Sequence, residues 1–284
     1  MREWSSGYVE TNGIRMHYYR TGGEKPPLVL AHGATDDGLC WARVARALEQ
    51  DFDVIMPDAR GHGLSDAPAQ GYAAVDHAAD LAGLIRGLGL DQPAVGGHSM
   101  GAGATLQLVA DYPELVRSAF LEDPGFRLAD EAPGTRGNER PGAAIRDMVL
   151  EARQMGREAL IARGRARSPL WDAEEFGPWA DAKLRVRDEF LATMGTRGAY
   201  PWQELLAKVT RPLLLITSDA DKGAIVTAQA AAEARRLLPG LEVKYLPGAG
   251  HNIRREQFDA FVATIREFLS RTGTRSGPVL RTVS

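Results

Sequence analysis

The pentapeptide Gly97-His98-Ser99-Met100-Gly101 sets a serine between two glycines, where the apolar run Pro93–Gly97 gives way to a helical pattern, Met100–Asp111. A sharp strand-to-helix turn of this kind strains the serine backbone and lifts its hydroxyl clear of the sheet. That hydroxyl is a poor nucleophile until a base takes its proton. The chain offers six histidines. Where a serine on such a turn works in a triad, the chain order is serine, acid, histidine, and His251 alone follows Ser99. It sits in Pro247-Gly248-Ala249-Gly250-His251-Asn252, a loop between a strand pattern and the last helix. The plain alternative is a glycine-rich helix start with Ser99 as N-cap. Context and position favour the chemical reading: acyl transfer, with Ser99 as nucleophile and His251 as general base.

The elements needed to position these residues are legible as an alternation. Tyr8–Thr11 and Ile14–Tyr19 flank Asn12-Gly13, a hairpin signal. Strand-like runs follow at Pro27–Ala31, Phe52–Met56, Pro93–Gly97 and Val116–Leu121, separated by helical patterns at Trp41–Leu48, Ala78–Leu88 and Met100–Asp111. From Gly125 to about Trp202 the strands stop. Helical stretches such as Ala143–Ile161 and Ala180–Met194 take over, with acidic residues and arginines in near balance, as on a solvated surface. Alternation resumes with strands at Leu213–Thr217 and Glu242–Leu246 and helices at Ala228–Leu238 and Glu256–Leu269. The reading is an α/β fold: a mainly parallel sheet of about eight strands, helices on both faces and an antiparallel edge. The core is expected at 1–125 and 206–270, a helical cap at 126–205, and a poorly ordered tail at 271–284. Ligands in such sheets bind beyond the carboxyl ends of the strands, and Gly33-Ala34, Ser99 and Asp123 stand at three of those ends.

Composition narrows the class. With 284 residues, 44% of them hydrophobic, the chain can bury a substantial core. A net charge of −3 gives no field for nucleic acid or an anionic membrane, and Arg and Lys are not interleaved with aromatics. The one cysteine, Cys40, excludes an intramolecular disulfide and a cysteine-rich zinc site. No dinucleotide, Walker or His-Glu-x-x-His motif is present, so neither cofactor nor metal is expected. Without a signal-peptide core or an apolar run near ~18 residues, the default is a cytoplasmic enzyme. The sequence carries no signal for oligomeric state.

Together, His32-Gly33-Ala34, Asp58-Ala59-Arg60-Gly61-His62-Gly63-Leu64-Ser65, the turn at Ser99 and Gly248-Ala249-Gly250-His251 resemble the α/β-hydrolase superfamily, over roughly Tyr8 to Leu269. The resemblance implies that the N–H groups of Ala34 and Met100 form an oxyanion hole, and that Asp58–Ser65 is a structural turn braced by Asp58 and Arg60. It leaves the acid open. Most members carry it after the strand that is here Leu213–Thr217, yet counting forward reaches Asp221, and counting back from Ile225-Val226 reaches Gly223. Asp219 fits no better. A minority, including fungal hydrolases that open the lactone zearalenone, place it after the strand following the turn helix, which here ends at Asp123. Asp123 is therefore the first choice, with Asp221 and Asp219 as alternatives.

The expected reaction is hydrolysis of an apolar carboxylic ester or lactone through an acyl-enzyme. Trp41 would border the oxyanion loop. Phe126, Met148, Met155, Trp171, Phe176 and Trp179 are the candidate pocket walls, although each such residue is by itself more often core. Three other readings use the same residues: hydroxynitrile-lyase chemistry, cofactor-free haloperoxidase chemistry, and a small-molecule receptor with vestigial hydrolysis. Turnover of simple esters separates the receptor from the enzymes.

Overall fold

A computed structural model describes residues 4–128, 141–194 and 200–273. Its eight strands are β1 (Ser5–Thr11), β2 (Ile14–Arg20), β3 (Pro27–Ala31), β4 (Asp53–Pro57), β5 (Ala94–His98), β6 (Ser118–Glu122), β7 (Leu213–Thr217) and β8 (Glu242–Tyr245). They form one sheet in the order β1-β2-β4-β3-β5-β6-β7-β8. Pairing is antiparallel at β1–β2 and β2–β4 and parallel from β4 onward. The Asn12-Gly13 turn closes the antiparallel edge, both residues at positive φ.

Two-residue periodicity sends alternate side chains into two cores. Leu28, Leu30, Val54, Met56, Phe120, Leu214 and Ile216 face one layer. Val29, Ala31, Ile55, Ala119, Leu121, Leu213 and Leu215 face the other. The first layer is covered by α1 (Ala42–Leu48), α10 (Ile253–Glu256) and α11 (Phe258–Gly273), the second by α2 (Ala74–Gly87), α3 (Met100–Asp111), α8 (Trp202–Leu206) and α9 (Ala228–Leu237). Between β6 and β7 the chain also forms α4 (Pro141–Met155), α5 (Arg157–Arg167), α6 (Phe176–Arg185) and α7 (Asp188–Ala192).

Several boundaries differ from the sequence reading. The stretch Ala143–Ile161 is two helices, because Gly156 at φ +77 breaks it. Ala180–Met194 is likewise divided, at the extended Val186. Phe126 and Trp202 fall within the stretch expected to be a cap, yet they stack at 4.6 Å inside the core beneath the sheet. Of the stretch expected to be a poorly ordered tail, Arg271 to Gly273 are helical, and 274–284 lie outside the described residues. No helix among the described residues is long and apolar enough to cross a membrane.

Candidate active site

Sterics decide the turn after β5. A Cβ on Gly97 would lie 2.3 Å from the Gly101 carbonyl oxygen, and one on Gly101 would lie 2.2 Å from that of Ala31. Only glycines let β5, α3 and the end of β3 approach so closely. Ser99 between them sits at φ 53, ψ −111, a conformation that L-residues rarely adopt. Its N–H donates to Glu122 O at 3.0 Å, which ties it to the end of β6. Five non-glycine residues among those described have positive φ, and three of them, Thr35, Ser99 and Asp123, stand just past β3, β5 and β6. Strain is thus gathered at the carboxyl edge of the sheet.

Asp123 is fully buried and in contact with His251: Nδ1 lies 2.5 Å from Oδ2. The same carboxylate accepts the Ile225 N–H at 2.8 Å and the Val226 N–H at 2.9 Å. These donors come from the loop after β7, the other place where the acid was sought. That loop holds Asp123 in place of supplying its own carboxylate. Asp219 is turned to a different task, accepting from the Tyr245 hydroxyl, Gly248 N–H (3.0 Å) and Lys222 Nζ (2.9 Å). Those hydrogen bonds, that of Tyr245 foremost, hold its carboxyl down to about 2. Asp221 is exposed in a single 3₁₀ turn. Neither touches His251 among the described contacts.

His98 stands between Gly97 and Ser99. Its Nε2–H donates to the His251 carbonyl oxygen at 2.9 Å, anchoring the histidine loop to the turn. Burial first, then the nearby Arg254, push its pKa well below 6.5, so the ring is neutral. Among the described residues Ser99 and His251 share no hydrogen bond. Such contacts are often long in a free enzyme and tighten as substrate binds.

The segment after β3 is held as firmly. His32 is buried, and burial lowers its pKa, so it too is neutral. Its Nε2 accepts from the Ala59 N–H at 2.9 Å, so Nδ1 carries the proton and donates to Gly33 O at 2.8 Å. The Gly33 carbonyl, one end of the Gly33–Ala34 peptide, is thereby held. Asp58 accepts from Gly38 N–H (2.7 Å) and Leu64 N–H (2.9 Å) and pairs with His17, while Arg60 pairs with Asp80. These bonds brace the turn that carries Ala59 and His62.

Ala34, Ser99 and Met100 border one cavity of about 700 Å³. Its described walls are mainly apolar, with Tyr72, Val75, Ile145, Met194 and Pro201 among them, and Gln107, Thr193 and Tyr200 add polar groups. The expected aromatic walls are elsewhere. Trp41 is wholly buried in the core beneath the Arg254 guanidinium, and Phe126 is covered by Trp202. Trp171 and Phe176 stack on one another, Trp171 also lining a separate surface groove, and Trp179 packs on Gly164 and Lys183. Met155 contacts Arg163. Of the candidate walls only Met148 packs, as Ala34, Met100 and Met194 do, against the cluster of Tyr72, Val149, Val186, Phe190 and Leu191. Helix-borne aromatics satisfy the same apolar pattern in a core or a cavity, so sequence could not separate the two.

A family model described as "alpha/beta hydrolase fold" matches residues 26–254. The chain is 31% identical over 276 residues to N-formylmaleamate deformylase of Pseudomonas putida, spanning 93% of this chain and 96% of that protein. It is 31% identical over 255 residues to 2-(acetamidomethylene)succinate hydrolase of Mesorhizobium japonicum, spanning 88% and 90%. Among solved structures, an esterase from a Rhodococcus species superposes with a TM-score of 0.77 at 26% identity, over 96% of this chain and 100% of the other.

Proposed function

The chain belongs to the α/β-hydrolase family and is a hydrolase, and from that premise we propose that it cleaves a small or medium carboxylic ester or lactone through an acyl-enzyme on Ser99. One observation carries the reading: a strained serine, a histidine and a buried carboxylate converge at the carboxyl edge of the sheet. His251 takes the Ser99 proton as the hydroxyl attacks the carbonyl carbon, then gives it to the leaving group. Asp123 holds Nδ1–H and stabilises the imidazolium. The N–H groups of Ala34 and Met100 receive the oxyanion, the second of them at the N-terminus of α3, where the helix dipole favours negative charge. Water then resolves the acyl-enzyme by the same route. The helices between β6 and β7 act as the cap over the cavity, and the apolar walls suit an apolar acyl or alkyl group.

A second reading, amide hydrolysis, is favoured by the two relatives at 31% identity, whose names specify a deformylase of an N-formyl compound and a hydrolase of an acetamido compound. The chemistry is the same, with an amine as leaving group. Labelling by a fluorophosphonate, read by intact mass and peptide mapping, should place one adduct on Ser99. Ser99→Ala should lose ~10⁴-fold or more in kcat. Matched ester, lactone and N-acyl substrates then rank the two readings by kcat/KM. A folded protein that is neither labelled at Ser99 nor impaired by the alanine would sink both.

A further inference from the structure

Thr35, next to Ala34, sits at φ +65. A β-branched residue in the left-handed region is an outlier that persists only where its surroundings hold it. Three hydrogen bonds from two side chains do so here. The Thr35 N–H reaches His62 Nε2 at 3.3 Å. Lys183 Nζ, on α6, donates to the Thr35 hydroxyl at 3.1 Å and to its carbonyl oxygen at 3.3 Å. Lys183 is itself buried, with Asp36 Oδ1 as its counter-charge at 3.4 Å. Asp36 Oδ2 in turn binds Arg254 (2.9 Å) and Arg255 (3.1 Å), three and four residues past His251.

We propose that Lys183 is a positioning residue that clamps Thr35 in its strained conformation and so keeps the Ala34 N–H aimed at the oxyanion. The inference rests on the acyl-transfer reading of Ser99. Its physical basis is a short tether. β3 is fixed to β5 as far as Ala31, and the 3₁₀ turn Gly38–Trp41 is fixed by Asp58. Any relaxation of Thr35 toward negative φ must be absorbed between these two points, and Ala34 lies in the middle. Misaiming a donor weakens transition-state binding more than substrate binding. A helix from the segment between β6 and β7 thereby sets the geometry of a donor at the sheet.

Lys183→Met removes the clamp and leaves Asp36 paired with two arginines. The expected result is a fall in kcat of about 10–100-fold with KM within about twofold, less than the loss of a whole oxyanion donor. Fluorophosphonate capture should slow in parallel. Adding Thr35→Gly to Lys183→Met should restore about fivefold or more, because glycine adopts positive φ without a clamp. Glu175→Gln removes an Arg255 partner in the same cluster without touching Thr35 and should keep kcat within about twofold. Thr35→Val, which deletes only the hydroxyl acceptor, serves if Lys183→Met misfolds, with an expected loss of about three- to tenfold. Unchanged kcat in the folded Lys183→Met or Thr35→Val variant overturns the proposal. So does an equal loss in Glu175→Gln, or no recovery with Thr35→Gly. A wild-type protein unlabelled at Ser99 would overturn the acyl-transfer reading itself, a different result.

Discussion

Asp123 combines three demands on one side chain: it is buried, at positive φ, and bonded to an imidazole and two backbone N–H groups. Aspartate and asparagine are the side chains that best tolerate the left-handed region outside glycine. Asp123→Asn should therefore keep the backbone and the Ile225 and Val226 bonds while removing the charge. An amide does not stabilise the imidazolium and can select the wrong tautomer, so kcat should fall ~10³–10⁴-fold. Asp219→Asn and Asp221→Asn should stay within about tenfold, since their carboxylates shape a turn. Steady-state kinetics beside circular dichroism test the set. A folded Asp123→Asn enzyme with wild-type kcat, next to an inactive Asp221→Asn, would move the acid to the loop after β7.

Among the elements, the β5–α3 turn is the most tightly constrained. The Gly97 and Gly101 contacts are to backbone atoms, which cannot swing aside as a flexible side chain would. Gly101→Ala should cost about 1–3 kcal/mol, as overpacking does, and should displace Ser99. Urea denaturation and the rate of fluorophosphonate labelling should fall together. For Gly103, two residues along the same helix, the nearest atoms are those of the Tyr200 side chain, from 3.6 Å, an ordinary contact. Gly103→Ala should leave stability within about 0.5 kcal/mol beyond helix propensity, making it the matched control. An equal loss in both variants would show that glycine matters here for helix flexibility and not for close approach.

Across the whole molecule, buried ionisable groups make stability depend on pH. Asp37 caps the 3₁₀ turn before α1 and pairs with Arg185 at the end of α6. Burial, reinforced by Asp58, raises its pKa from 3.8 to about 7. Between those values the folded carboxyl keeps a proton that the unfolded chain has released, so stability falls as pH rises through the window. His32 and His98 act in the opposite sense. Held neutral, they cost stability as pH falls below 6.5, where the unfolded chain binds protons and the fold does not. Asp37→Asn should still cap Leu39 while removing the titration. Its melting temperature should exceed that of the wild type at pH 8, by roughly 2 °C per kcal/mol for a chain of this size. The gap should close by pH 5. Parallel melting curves across that range would refute the raised pKa.

What the sequence determined by itself was local. The alternation of strands and helices, the Asn12-Gly13 hairpin, the glycine-flanked Ser99 and the position of His251 each follow from spacing within a few residues or from elimination. His32-Gly33-Ala34 and Asp58–Ser65 were equally visible as motifs, but not the reason for their histidines. That reason is the holding of the Gly33 carbonyl and of Thr35 by neutral rings reaching across 27 residues. The identity of the carboxylate beside His251 was decided by strand order. β6 lies between β5 and β7, so its end faces Ser99 on one side and the donors of Ile225 and Val226 on the other. No count along the chain contains that adjacency. The walls of the cavity and the clamp of Lys183 on Thr35, 148 residues apart, were decided later still, by where α4 to α8 pack. Hydrophobic periodicity says that a helix face is buried; only the packed structure says against what.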